Sequence, residues 1–413
     1  MNQSSLTPTP SHIPQAAVYD FDMFRDVDLL SDPHRRVRDL IDSAPPVFWT
    51  PRNGGHWVVT SHEAVFNAYR DTEIFSSQLA TNEQAAQFEA FLAAGGPHLP
   101  LPTPINMDPP THTRYRAPLN PVFSPKAALA RREEVRALAN SLIDAVIAKG
   151  HCDFIADIAE PLPVQVFLKI MGLPLDRLAE FRELVHQLLA PSDGNPLEML
   201  SRMRAIADAM KAQLEARRVE PRDDLISLLW KTEIDGKAMT MELMEDFCVL
   251  LFIAGLDTVI NGMGYGIRHL AGNPDLQNQL RAEPKRIVDA AEEMLRRYSF
   301  IVAARRVARD TEFGGFNLKA DDQLMLFLPG ANVDAAQFPN PDKFDIDREN
   351  KAHIAFGAGP HRCLGSHLAR VELNVIYEQM LARLPNFRID DSKPIKFRAG
   401  NIIGIDSLPL RWD

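Results

Sequence analysis

The residue with most chemistry within reach is Cys363, in the stretch FGAGPHRCLG at 356–365. A helical pattern starts just after it. The sulfur therefore meets unpaired backbone N–H groups and the positive end of a helix dipole, and both favour thiolate. Gly357, Gly359 and Gly365 let the loop turn tightly and approach a flat object closely, while His361 and Arg362 add positive charge. A sulfur presented by so rigid a loop is a nucleophile or a metal ligand. As a cysteine hydrolase the chain would need His361 as base. Two residues apart at a helix start, the imidazole and the sulfur need not meet, and no orienting acid is evident.

A second constellation, Ala254-Gly255-Leu256-Asp257-Thr258, lies in the middle of the least polar stretch, 247–267. An acid and a hydroxyl placed there are costly unless partnered. Gly255 leaves room beside the helix, and Thr258 can bond back to a carbonyl one turn earlier. A proton relay facing a cavity accounts for both groups, and a structural Asp–Thr pair is the other reading. Glu293 and Arg296 set opposite charges on one helix face. In MDPPTHTRYR (107–116), His112, Arg114 and Arg116 follow a Pro-Pro break and form a basic surface turn or a grip for a carboxylate or phosphate. GMGYG (262–266) has the glycines of a dinucleotide loop but sits inside a helical pattern without a preceding strand, which rules that reading out.

These residues need a scaffold, and the 413 residues supply a globular one: 46% are hydrophobic, 24% are charged and the formal charge is −10. An acidic chain is not a general nucleic-acid binder. The first twenty residues hold no apolar run, and three scattered cysteines make neither a disulfide framework nor a zinc site, which points to a reducing cytoplasm. Asp257 would cost a membrane span about 3 kcal/mol, so 247–267 is expected to be a buried core helix. Residues 1–17 read as a flexible tail, and 18–413 as one large mixed domain. PVFWT and HWVVT flank an Asn-Gly-Gly turn and predict a β-hairpin. Residues 126–230 are helical in pattern. Thr240 caps a helix predicted to run about 45 Å to Leu270, and another begins near Pro284. Strands dominate after residue 300, interrupted by a helix from Leu364 to Leu384.

Taken together, the segments resemble the cytochrome P-450 family, the haem-thiolate monooxygenases. Phe356, Gly359, Cys363 and Gly365 match its Phe-x-x-Gly-x-x-x-Cys-x-Gly pattern, Glu293 and Arg296 its Glu-x-x-Arg pair, and Ala254-Gly255-x-Asp257-Thr258 its oxygen-activation motif. The resemblance runs from about residue 20 to the end. FIAGLDTVIN (252–261), AEEMLRRYS (291–299) and SLPLRWD (407–413) are most similar to the bacterial camphor hydroxylase group. It implies a mainly α (α+β) fold, helix-rich and triangular with a small β-sheet lobe, holding haem b between the long helix and the late one. Cys363 would be the axial iron ligand, with Phe356, Gly359 and Gly365 around the sulfur and Ala254 and Gly255 on the opposite face. His112, Arg116, Arg305 and His361 would hold the propionates, Arg by fork-like pairing. Asp257 and Thr258 would deliver protons for dioxygen activation. Glu293 and Arg296 would form a buried structural pair, joined by a residue after Pro341, where this chain has Lys343-Phe344.

The resemblance also implies electrons from outside, since only 50 residues follow Cys363 and no flavin or nicotinamide motif is present. The partners would be a small two-iron ferredoxin and a flavin-dependent NADH reductase, docking at Arg114, Arg116, Arg131, Arg132 and Arg362. The protein is expected to be a cytoplasmic monomer. Leu250, Ile253, Ile301 and Ile402 should line an apolar substrate cavity. Pro100 stands where camphor hydroxylases carry a ketone-binding tyrosine, so camphor is disfavoured; His98, Thr103 or Asn401 would supply a polar contact instead. A norisoprenoid such as an ionone, or a monoterpenoid ketone, is the expected substrate. A peroxide-driven peroxygenase and a non-catalytic haem-based sensor are the alternatives.

Overall fold

A computed structural model describes residues 6–189 and 196–412. The predicted hairpin forms: β1 (Val47–Thr50) pairs antiparallel with β2 (His56–Val59), and Asn53, Gly54 and Gly55 all take positive φ in the turn. Strand β3 (Phe75–Ser76), β4 (Val302–Val307) and β5 (Gln323–Phe327) complete a five-stranded sheet in the order β1-β2-β5-β4-β3. The two ends of the chain thus meet in one sheet, with β2 and β5 parallel. All eight hairpin-strand residues are buried. Phe48 and Val58 face the helical core, while Val47, Trp49, Trp57 and Val59 face a second cluster, so neither sheet face is left to water.

The expected N-terminal tail is corrected from residue 6 onward; residues 1–5 lie outside the described residues. Thr7 N–H donates to the Pro51 carbonyl, Val18 bridges Trp49, and Ile13 and Ala17 are buried in the second cluster. Proline-rich sequence reads as coil, but a segment that covers a sheet edge needs few N–H donors of its own.

The helical layer is built from α1 (Thr111–Arg116), α2 (Arg132–Ile147), α3 (Pro161–Met171), α4 (Met241–Gly255), α5 (Asp257–Ala271), α6 (Ile287–Arg297) and α7 (Ser366–Arg383), among others. Thr240 caps α4 as predicted, accepting from Leu243 N–H. The single 240–270 helix is not observed. It breaks at Leu256, where φ is −105° and ψ −71°. The reason lies in the motif itself: Thr258 Oγ1 donates to the Ala254 carbonyl at 2.9 Å, which takes up an acceptor of the helical ladder. A 3₁₀ turn at Pro284–Arg286 precedes α6, and α7 falls within two residues of its expected ends. The glycines of GMGYG lie inside α5 and serve packing. A Cβ on Gly266 would sit 1.9 Å from Tyr377 Oη of α7, and one on Gly264 would sit 2.5 Å from Ile405. Among the described residues, no helix is long and apolar enough to cross a membrane.

Candidate active site

The break between α4 and α5 opens onto a cavity of about 450 Å³. Ala254, Gly255 and Thr258 line one side, and Phe356, Cys363 and Gly365 the other. Two left-handed glycines shape the loop before the sulfur. Gly357 (φ 68°) packs on the Tyr69 ring, and a Cβ on Gly359 (φ 64°) would lie 2.5 Å from the Tyr69 carbonyl oxygen. Cys363 N–H donates to the Phe356 carbonyl at 2.8 Å, and the Arg370 guanidinium lies 4.5 Å from the Phe356 ring centre. Burial pushes the Cys363 thiol above its ordinary range; the Gly365 N–H and the charges of Arg116, Arg370 and Arg362 pull the other way without overcoming it. Cys363 is nonetheless exposed at the cavity, so desolvation does not settle its charge, and a metal cation bound there would hold the sulfur deprotonated. His361, the candidate base of a hydrolase, instead bonds Ser77 Oγ at 3.0 Å and packs on His112, with ring centres 4.0 Å apart.

His112, Arg116, Arg305 and His361 gather at one rim of the cavity. Burial, together with the neighbouring arginines, pushes His112 down to about 4 and His361 down to about 3. Both imidazoles are therefore neutral donors at pH 7. Arg305 is buried, its guanidinium 5.0 Å from the Tyr69 ring centre. Its Nη1 reaches only the carbonyl of Ala304, and its Nε has no partner among the described residues. A buried, under-bonded guanidinium is the mark of a site built for an anion. A sulfur on one side, bare helix backbone at Gly255 on the other and a cationic rim fit a haem with its propionates; a Cβ on Gly255 would meet nothing within 4 Å.

Thr258 lines the cavity, but Asp257 does not. Both Asp257 oxygens lie 2.9 Å from Arg398 Nη2, and Asn261 Nδ2 donates to Oδ1 at 3.0 Å. Sequence reading missed Arg398, 141 residues away and without a local signal. It also missed Glu372 of α7, which lines the cavity, is buried and leaves Oε2 without a partner among the described residues. Burial pushes this carboxyl up to about 8.

Glu293 and Arg296 form the expected buried pair through two bonds of 2.8 Å. Lys343 does not complete it. Its ammonium is exposed and bonds Asp345, whereas Arg348 Nε reaches both Glu293 oxygens at 3.2 Å. The loop after Pro341 turns on the Arg296 guanidinium, which takes the Pro341 carbonyl at 2.9 Å, and this carries Arg348 inward.

Leu250, Ile253, Ile301 and Ile402 line the cavity. The polar candidates do not. His98 is tied to Asp246 at 3.0 Å, Thr103 is buried elsewhere, and Asn401 is exposed with its carbonyl accepting from Val302 N–H. Pro100 is also outside the lining; Pro102, Pro104 and Ile105 of the same segment take its place. The docking patch is thinner than expected. Arg114 pairs with Asp235, Arg131 with Glu134 and Arg132 with Glu378, and Arg116 turns to the cavity, while Arg362 is exposed.

Comparison with known proteins agrees with this geometry. The family profile described as Cytochrome P450 matches residues 197–409. Probable cytochrome P450 127A1 of Sinorhizobium fredii is 35% identical, over 98% of this chain and 97% of that protein. Steroid C26-monooxygenase of Mycolicibacterium smegmatis is 35% identical over 88% and 89%, and linalool 8-monooxygenase of Pseudomonas putida 28% over 88% and 91%. The crystal structure of CYP101J2 superposes with a TM-score of 0.87 at 34% identity, covering 99% of this chain and 100% of that one. The likeness to the camphor hydroxylase group and the mainly α fold are borne out. A sulfur loop, a cationic rim and a broken helix around one apolar cavity, found on this fold and in this company, place the chain in the cytochrome P450 family of haem-thiolate monooxygenases.

Proposed function

We propose that the chain hydroxylates an unactivated C–H bond of a small hydrophobic terpenoid-like molecule, a norisoprenoid or a monoterpenoid ketone, using dioxygen and electrons from a two-iron ferredoxin reduced by a flavin-dependent NADH reductase. One observation carries this reading. Thr258 and Cys363 line the same cavity, and Leu250, Ile253, Ile301 and Ile402 add aliphatic surface to its wall. When bound, haem b supplies the dioxygen chemistry at its iron. The protein does the rest. Cys363 would ligate the iron and lend it the electron density of a thiolate. Arg305, Arg116, His112 and His361 bind the propionates. Thr258 holds a proton at its Oγ1 on the cavity wall, and Asp257, behind it, replenishes that proton from outside. The aliphatic residues orient the substrate by shape and exclude water. We place the protein in the cytoplasm as a monomer.

The test has two stages. Reduced protein under carbon monoxide should show the strongly red-shifted absorption of a sulfur anion opposite the gas; without it the reading falls. Spin-state titration with β-ionone, linalool, camphor and a sterol ketone then identifies the substrate class. Tightest response to an ionone or monoterpenoid is expected. A second reading, a steroid substrate, is favoured by the 35% identity to a steroid C26-monooxygenase, and a response to the sterol alone would select it.

A further inference from the structure

Arg398 joins two places that sequence keeps apart. It ends β6 (Lys396–Arg398), which pairs antiparallel with β7 (Gly404–Ser407). Its Nη2 holds both oxygens of Asp257, and its Nη1 holds Asp406 of the same hairpin at 2.7 Å. Gly404 stands opposite, and a Cβ there would lie 2.6 Å from Nη2, so the guanidinium lies flat across the hairpin because that position is glycine. Between the two strands, Ile402 enters the cavity and bridges Ile301. Two further bonds tie the hairpin to α5: Ile405 N–H donates to Asn261 Oδ1 at 2.7 Å, and Tyr265 Oη donates to the Ile403 carbonyl at 2.8 Å. Asn261 also bonds Asp257. The hairpin therefore touches the cavity through Ile402 and the acid through Arg398, as one braced piece.

We propose that Arg398 is a positioning residue that couples occupancy of the cavity to the Asp257 carboxylate. An occupant pressing on Ile402 moves the hairpin, and Arg398 moves with it. The ion pair that keeps Asp257 out of the cavity then loosens when there is a molecule to oxidise. This rests on the reading of Asp257 as proton carrier given under Proposed function. Coupling of this kind is reciprocal. Cutting the Asp257–Arg398 pair must change how tightly the cavity holds an occupant that never touches Asp257.

The probe is 4-phenylimidazole, whose nitrogen ligates haem iron while its phenyl ring fills the space above. Its dissociation constant is read from the absorption shift of the holoenzyme. Asp257→Asn and Arg398→Gln should each lower it about fivefold, because the intact pair opposes occupancy, and the double variant no further than either alone. Arg398→Lys should fall between the parent and Arg398→Gln. An unchanged or raised constant in either single variant, or effects that multiply in the double, overturns the coupling. If Arg398→Gln yields no holoenzyme, the same cycle is run with Arg398→Lys. Product formed per NADH by Asp257→Asn is measured alongside. If turnover stays unaltered, the proton-carrier reading fails. If turnover is lost and the dissociation constants stay flat, the coupling alone fails.

Discussion

Replacing Glu372 by glutamine tests how far the interior of this protein disfavours a charge beside the cavity. The folded carboxyl keeps its proton up to about pH 8, whereas the same group in the unfolded chain gives it up near 4.5. Between those values the unfolded state binds fewer protons than the native one, so native stability falls as pH rises, by about 1.4 kcal/mol per pH unit. Glutamine keeps the shape and does not titrate. Its advantage over glutamate should therefore widen by about 3 kcal/mol from pH 5 to pH 7 and level off above pH 8. Unfolding entropy of about 2.1 cal/mol/K per residue makes 1 kcal/mol worth about 1 °C in a chain of 413 residues. Calorimetry of the carbon monoxide-bound holoenzyme should thus find the Tm gap between Glu372→Gln and the parent growing by about 3 °C over that interval. A gap that is constant, or that narrows with rising pH, refutes the assignment of a neutral buried acid.

Three other outcomes follow from the same geometry. Thr258→Ala should keep NADH consumption but divert it to hydrogen peroxide, with product per NADH down about tenfold or more; unchanged coupling would remove Thr258 from proton delivery. Arg348→Ala, which leaves the buried Glu293 with one guanidinium in place of two, should cost about 3 kcal/mol in urea unfolding, while Lys343→Ala should stay within about 0.5 kcal/mol. Equal costs would return Lys343 to the network. Arg305→Gln should speed haem loss to apomyoglobin about tenfold, since an amide cannot supply the fork that a propionate takes; an unaltered rate would mean the buried guanidinium serves the Tyr69 contact alone.

Sequence alone determined the chemistry that lies within short segments. Cys363 with its glycines, the Ala254–Thr258 motif and the Glu293–Arg296 pair are local patterns, and local geometry is set by nearby φ/ψ preferences and side-chain spacing. The hairpin at 46–60 was legible for the same reason: β-branched runs and an Asn-Gly-Gly turn name their own partners. Apolar periodicity marked α4 and α5, but their break at Leu256 depended on which acceptor the Thr258 hydroxyl would choose. What only tertiary structure decided were the partners of buried charge. Arg398 on Asp257, Arg348 on Glu293 and the solitary Glu372 come from segments up to 141 residues apart, and no pattern in the chain links them. The polar substrate contacts failed likewise, because His98 found Asp246 once both were out of water. A buried polar group is committed to whichever partner packing brings within 3 Å, and packing belongs to the whole chain.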